Sequence, residues 1–157
     1  MKDYEVSTYG DSYAAVYDLW YGDEDSARAK NLSDPEHVAL KVAELALGGP
    51  VLELGIGSGR LAIAIDKTGL KVTGVDSSTL MLDLLRSKPD AQNITVIHDD
   101  MSKCSELEAD SYSLVLIGFN TFFNLTTKES QQQCIRTCAR VLKLSLIHIS
   151  EPTRRRG

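Results

Sequence analysis

Val51-Leu-Glu-Leu-Gly-Ile-Gly-Ser-Gly-Arg60 is the stretch on which the fold of this chain turns. An apolar strand runs into three glycines at alternate positions, and Leu61-Ala-Ile-Ala-Ile65 then opens a helix. Gly55, Gly57 and Gly59 allow a tight turn whose backbone comes close to a ligand, where any Cβ would collide. The dinucleotide-binding fingerprint is G-x-G-x-x-G, but here the third glycine comes one position early and Arg60 stands where that spacing demands glycine. A pyrophosphate is therefore not the expected guest. Glu53, two residues before the first glycine, suits a cationic or hydroxyl-bearing ligand better than a phosphate.

Downstream of this turn, short apolar runs alternate with helical segments at the spacing of βα units. Strands are expected at Val51 to Leu54, Lys71 to Val75, Ile94 to His98 and Tyr112 to Ile117. Helices are expected over 59–68, over 78–87 and from Thr127 to Leu142, the last with Thr126 and Glu129 spaced as a capping box. Strands this apolar predict a parallel sheet covered on both faces. Upstream, Ser33-Asp-Pro-Glu36 places a capping Ser three residues before a Glu, with Val38, Val42 and Leu45 on one helical face and a stop at Gly48-Gly49-Pro50. The first thirty residues hold five of the six tyrosines and the only tryptophan, too aromatic a stretch for a disordered tail.

Two further elements suit a nucleoside. Val72-Thr-Gly-Val-Asp76 ends the second strand on an acidic residue, and a carboxylate there can accept both hydrogen bonds of a ribose diol. In Val96-Ile-His-Asp-Asp-Met101 the carboxylate of Asp100 can take an exocyclic amine while Met101 lines an adenine slot, although Asp99 and Asp100 also suit a simple polar turn.

Taken together these motifs resemble the class I S-adenosylmethionine-dependent methyltransferases, in the group acting on small molecules. Glu53, Gly55, Gly57 and Gly59 match the family's first motif, Asp76 its acidic second-strand end, and Asp100 its third-strand aspartate, with Asp99 in place of a glycine. The stretch after the fourth strand, GFNTFFNLTTKESQQQCIRTCARVLK, is similar to the family's fourth-strand exit and following helix. The resemblance covers about residues 12 to 143 and implies a Rossmann-like α/β sheet ordered 3-2-1-4-5-7-6, with helices on both faces and incomplete here after strand four. It implies S-adenosylmethionine as cofactor, with the three glycines near its methionine moiety, Asp76 on the ribose, and Asp100 and Met101 at adenine. Tyr17, Trp20 and Tyr21, with Tyr13, either lid the pocket or serve as ordinary core. Asn120-Thr-Phe-Phe123 occupies the place of an Asn/Asp-Pro-Pro-aromatic signature without its prolines, which makes Asn120 a candidate for orienting an acceptor amine.

The implied activity is methyl transfer to a small molecule. Two alternatives remain at this stage: a non-catalytic cofactor-binding fragment, and an NAD-dependent oxidoreductase, which the glycine spacing and Glu53 disfavour. With 157 residues, 43% hydrophobic and 25% charged, one globular domain is expected. The net charge of -5 speaks for a small-molecule partner and against nucleic acid or an anionic membrane surface. No apolar run approaches the roughly 20 residues of a bilayer helix, and the start has no basic region followed by an apolar core, so a cytoplasmic protein is expected. Oligomeric state is left open. Cys104, Cys134 and Cys138 are read as reduced packing residues, because no histidine pair lies near to complete a metal site.

The helix ending near Lys143 meets no Gly, Asn or Pro stop, and LSLIHISEPTRRRG follows instead. That string resembles the translation of a transposon adapter used to prepare sequencing libraries. Residues 1–143 are accordingly expected to be the N-terminal part of one methyltransferase domain, and residues 144–157 a non-native tail. The rival reading is a real fifth strand, Leu144 to Ile149, with a basic tail.

Overall fold

The computed structural model describes residues 7–21, 34–143 and 149–150. A parallel sheet lies at its centre, in the order β3-β2-β1-β4-β5. Strand β1 spans Val51–Leu54, β2 Val72–Asp76, β3 Thr95–His98 and β4 Leu114–Ile117. Every pairing is parallel, with Val51 opposite both Val72 and Leu114 in the central register. All four residues of β1 are buried. Side chains alternate across a strand, so Val51 joins the apolar layer under the helices α2 (Pro35–Ala46), α3 (Arg60–Asp66) and α4 (Thr79–Arg86), while Leu52 and Leu54 join the layer under α5 (Lys128–Val141). Burial on both faces explains why the strand reads as an apolar run broken only by Glu53.

The expected strands and helices are present, with shifts of one to two residues at most ends. Two caps differ from expectation. Helix α2 is capped by Asp34, whose carboxylate accepts from the Glu36 N–H at 3.0 Å with Pro35 in the first turn, whereas Ser33 lies outside the described residues. Helix α5 is capped by Thr127, whose Oγ1 accepts from the Ser130 N–H at 3.1 Å, one residue later than the Thr126–Glu129 box. Both caps use a short oxygen-bearing side chain directly before the helix, which reaches a backbone N–H of the first turn. Leu47 closes α2 in the left-handed region at φ 50°.

The aromatic N-terminal stretch forms helix α1, Thr8–Tyr21, packed on α4. At Gly10 the two helices press together so closely that a Cβ would lie 2.5 Å from the Ser78 Cβ. The sheet also continues past β4, where an end had been expected. Ile149–Ser150 form a two-residue β5, Ile149 opposite Leu116 and Ser150 opposite Ile117. An open parallel edge at β4 offers unpaired backbone groups to any extended segment. Among the described residues no helix is long and apolar enough to cross a membrane.

Candidate functional site

The carboxyl ends of β1, β2, β3 and β4 open into one cavity of about 350 Å³, the usual place for a ligand in a parallel α/β sheet. Gly55 and Gly57, Asp76, Asp100 and Met101, Asn120 and Tyr17 all line it. Five stretches far apart in sequence are thus brought together. Trp20 and Tyr21 stand at the end of α1, but their side chains lie outside the described residues. Tyr13 pairs with Tyr9 at a ring distance of 4.8 Å; Tyr9 lines the cavity and Tyr13 does not.

The three glycines divide by role. Each has positive φ, at 77°, 56° and 84° for Gly55, Gly57 and Gly59. A Cβ at Gly55 would lie 2.1 Å from the Thr121 Cγ2, and one at Gly59 would lie 2.2 Å from the Leu85 Cδ1. Only at Gly57 would a Cβ meet nothing within 4 Å, so of the three it alone presents bare backbone to open space. Gly59 is the N-cap residue of α3 and lies off the cavity lining. At Gly55 and Gly59 the missing side chain makes room for Thr121 and Leu85, and at Gly57 it leaves the backbone facing open space.

Asp76 sits at the mouth of β2 with both carboxylate oxygens held. Oδ2 accepts from the Gly57 N–H at 2.8 Å and Oδ1 from the Ser78 N–H at 2.9 Å. Burial pushes its carboxyl above the usual carboxylate range, the Asp11 charge adds to this, and the backbone N–H groups of Ser78, Gly57 and Ser77 oppose it. Asp100 fills two roles at once: its Oδ1 caps a turn, accepting from the Ser102 N–H at 2.8 Å and the Ser102 Oγ at 2.7 Å, while the residue lines the cavity.

Glu53 is buried at 4% exposure, beneath a small neighbouring cavity that shares Tyr17, Gly55, Phe119 and Thr121 with the large one. Its Oε2 has no hydrogen-bond partner in the protein. Burial pushes its carboxyl up to about 8 and Asp76 adds to this, while Arg60 pulls it down. The β4 exit is wound unusually: Phe119 and Asn120 both have positive φ, 61° and 60°, and the Thr121 N–H donates to the Gly118 carbonyl at 3.1 Å. Two such residues inside a hydrogen-bonded four-residue turn make a type I′ turn, a form that favours Gly or Asn. Asn120 suits it; Phe119 is strained there. Phe119, Thr121, Asn124 and Leu125 line the cavity without having been singled out from the sequence, because loop residues carry no periodic signal.

A family model described as a methyltransferase domain matches residues 51–145. Cypemycin N-terminal methyltransferase from a Streptomyces species is 33% identical over 97 residues, covering 61% of this chain and 38% of that protein. The solved CcbJ methyltransferase from Streptomyces caelestis is 35% identical with a TM-score of 0.78, covering 92% of this chain and 57% of that one. The glycopeptide N-methyltransferase MtfA, solved with sinefungin, shares the fold at 24% identity and a TM-score of 0.60, over 71% of this chain and 50% of that one. The chain spans between 38% and 57% of the length of these relatives. With more than half of its residues matched to the domain, it belongs to the S-adenosylmethionine-dependent methyltransferase family.

Proposed function

We propose that the cavity at the strand ends binds S-adenosylmethionine, and that the protein to which this chain belongs transfers a methyl group from it to a small-molecule acceptor by in-line displacement. The observation that carries this reading is the convergence of Gly57, Asp76, Asp100 and Met101 on one 350 Å³ cavity. The residues fit the cofactor. The orphaned Oε2 of buried Glu53 is an acceptor awaiting a cation, as a methionine ammonium would be. The open face of Gly57 admits a chain of atoms against the backbone, and Asp76 suits the ribose diol.

When bound, the cofactor supplies a methyl already activated on a sulfonium. The chain's own residues then bind, orient and exclude water. In this reading Asp100 and Met101 serve the adenine, Tyr17 of α1 acts as a lid, and Asn120, on the same cavity lining, orients the acceptor. No general base is assigned, since positioning dominates such a transfer. The negative charge favours a small-molecule acceptor over nucleic acid, in the cytoplasm. Residues 144–157 we take as foreign to the domain, on the strength of their adapter-like sequence, despite the pairing of Ile149–Ser150.

Calorimetric titration with S-adenosylhomocysteine tests the reading. The chain is expected to bind one equivalent, and Asp76→Ala to weaken binding about tenfold or more, the worth of hydrogen bonds to a charged group. No binding by the unaltered chain, or equal binding by Asp76→Ala, would overturn it.

A further inference from the structure

Helix α1 carries two aspartates seven residues apart, Asp11 and Asp18, a spacing that puts both on one face two turns apart. Each ends on a buried serine. Asp11 Oδ1 accepts from the Ser78 Oγ at 2.6 Å, and Asp18 Oδ1 accepts from the Ser58 Oγ at 2.6 Å. Ser58 and Ser78 are 1% and 0% exposed. Ser78 is itself the donor to Asp76 Oδ1, and Ser58 directly follows Gly57, the donor to Asp76 Oδ2. The two aspartates of α1 therefore grip the two backbone segments that hold the two oxygens of Asp76.

Lys88 completes the second grip. Its Nζ lies 2.7 Å from Asp18 Oδ2 and donates to the Ser58 carbonyl at 2.8 Å. The first is tightened by Gly10, whose lack of a side chain lets α1 rest against Ser78. Between the two grips Tyr17 faces the cavity. Charged acceptors make short, strong bonds to hydroxyls, and a carboxylate fixed by such donors loses little on binding a ligand.

We propose that Asp11 and Asp18 are positioning residues for Asp76, so that docking of α1 and capture of the cofactor's ribose are one coupled event. This rests on the reading of the cavity as an S-adenosylmethionine site. Removing either aspartate frees one of the backbone segments that orient Asp76.

The test is a double-mutant cycle on S-adenosylhomocysteine affinity, measured by calorimetry or by ligand-observed NMR where binding is weak. Asp18→Ala and Asp11→Ala are each expected to weaken binding about threefold to tenfold, the range of a partly buried charged contact. In an Asp76→Ala background the same changes are expected to cost nothing further, since the carboxylate they orient is gone. A purely structural role would lower the melting temperature and leave the two losses additive. Unchanged affinity in Asp11→Ala and Asp18→Ala, or a full additive loss in the Asp76→Ala background, overturns the proposal while the cofactor reading stands. Failure of the unaltered chain to bind overturns both. Should an alanine variant melt below the working temperature, Asp11→Asn and Asp18→Asn, which keep the side-chain shape, carry the same comparison.

Discussion

The Arg60 guanidinium lies over the Phe119 ring, 4.4 Å from its centroid. The contact joins the first turn of α3 to the strained β4 exit, and it gives a physical reason for an aromatic residue at φ 61°. A cation over a partly desolvated ring is worth about 1 kcal/mol, of the same order as the cost of a left-handed conformation. Phe119→Leu keeps the bulk and the strain but loses the cation's partner. It is expected to destabilise the fold by about 1 kcal/mol in urea unfolding, and in Arg60→Met the same change should cost clearly less. Equal costs in both backgrounds would show that the stacking contributes nothing.

Glu53 sets a pH dependence whose sign follows from burial. Its carboxyl is raised to about 8 in the folded chain, against 4.5 as the ordinary value. Below the ordinary value both states are protonated and the group contributes no pH dependence. Between it and about 8 the unfolded chain has lost the proton while the folded chain keeps it, so stability falls as pH rises through this window and is flat above it. Glu53→Gln is expected to remove that decline, seen as a smaller drop in melting temperature between pH 5 and about 8. Cofactor binding should run the other way. An ammonium beside Oε2 favours the carboxylate, so titration with S-adenosylhomocysteine near pH 7 is expected to release close to one proton, read from the heat in buffers of different ionisation enthalpy. In Glu53→Gln the release should vanish.

The glycine turn separates stability from binding. Gly55→Ala and Gly59→Ala drive a Cβ into Thr121 and Leu85 and adopt a disfavoured φ as well, so each is expected to lose about 2–4 kcal/mol of stability. Gly57→Ala meets no atom and bears only the left-handed conformation, about 1 kcal/mol. Yet on the proposed reading its methyl would take up space that the cofactor fills. Chemical unfolding should therefore rank Gly57→Ala as the mildest of the three, while calorimetry shows it losing S-adenosylhomocysteine affinity at least as severely as the others.

What the sequence reveals here follows from how local each signal is. The strand–turn–helix at Val51–Arg60 and the acidic end of β2 are contiguous and carry their own geometry, so fold and cofactor class are legible from them. The caps are shifted by one because Ser33 and Asp34, or Thr126 and Thr127, are chemically near-equivalent and only backbone geometry chooses between them. The division of labour among Gly55, Gly57 and Gly59 depends on Thr121 and Leu85, which belong to other elements. Asp11 and Asp18 show a recognisable spacing on α1, but their partners Ser58 and Ser78 lie 40 and 67 residues away. No one-dimensional pattern pairs them. Phe119 was invisible because an aromatic residue after a strand reads as core, not as the corner of a turn.

The three cysteines offer a last contrast between proximity and reactivity. Cys104, Cys134 and Cys138 are all 1% exposed or less, in the apolar layer beneath α5. Burial raises the Cys104 thiol to about 12, with Asp99 adding to it, and the hydrogen bond between Cys134 and Cys138 raises the former and lowers the latter. A thiol must ionise and be reached before it reacts. The i, i+4 pair on α5 is packed within this apolar layer. All three thiols are therefore expected to resist a thiol reagent at neutral pH in the native state and to react together once denaturant unfolds the chain. Cys134→Ala, which leaves a cavity in that layer, should lower stability by about 1–2 kcal/mol. Rapid labelling of one thiol in the folded chain would mean that the α5 layer opens locally, and would place that helix among the elements that loosen first.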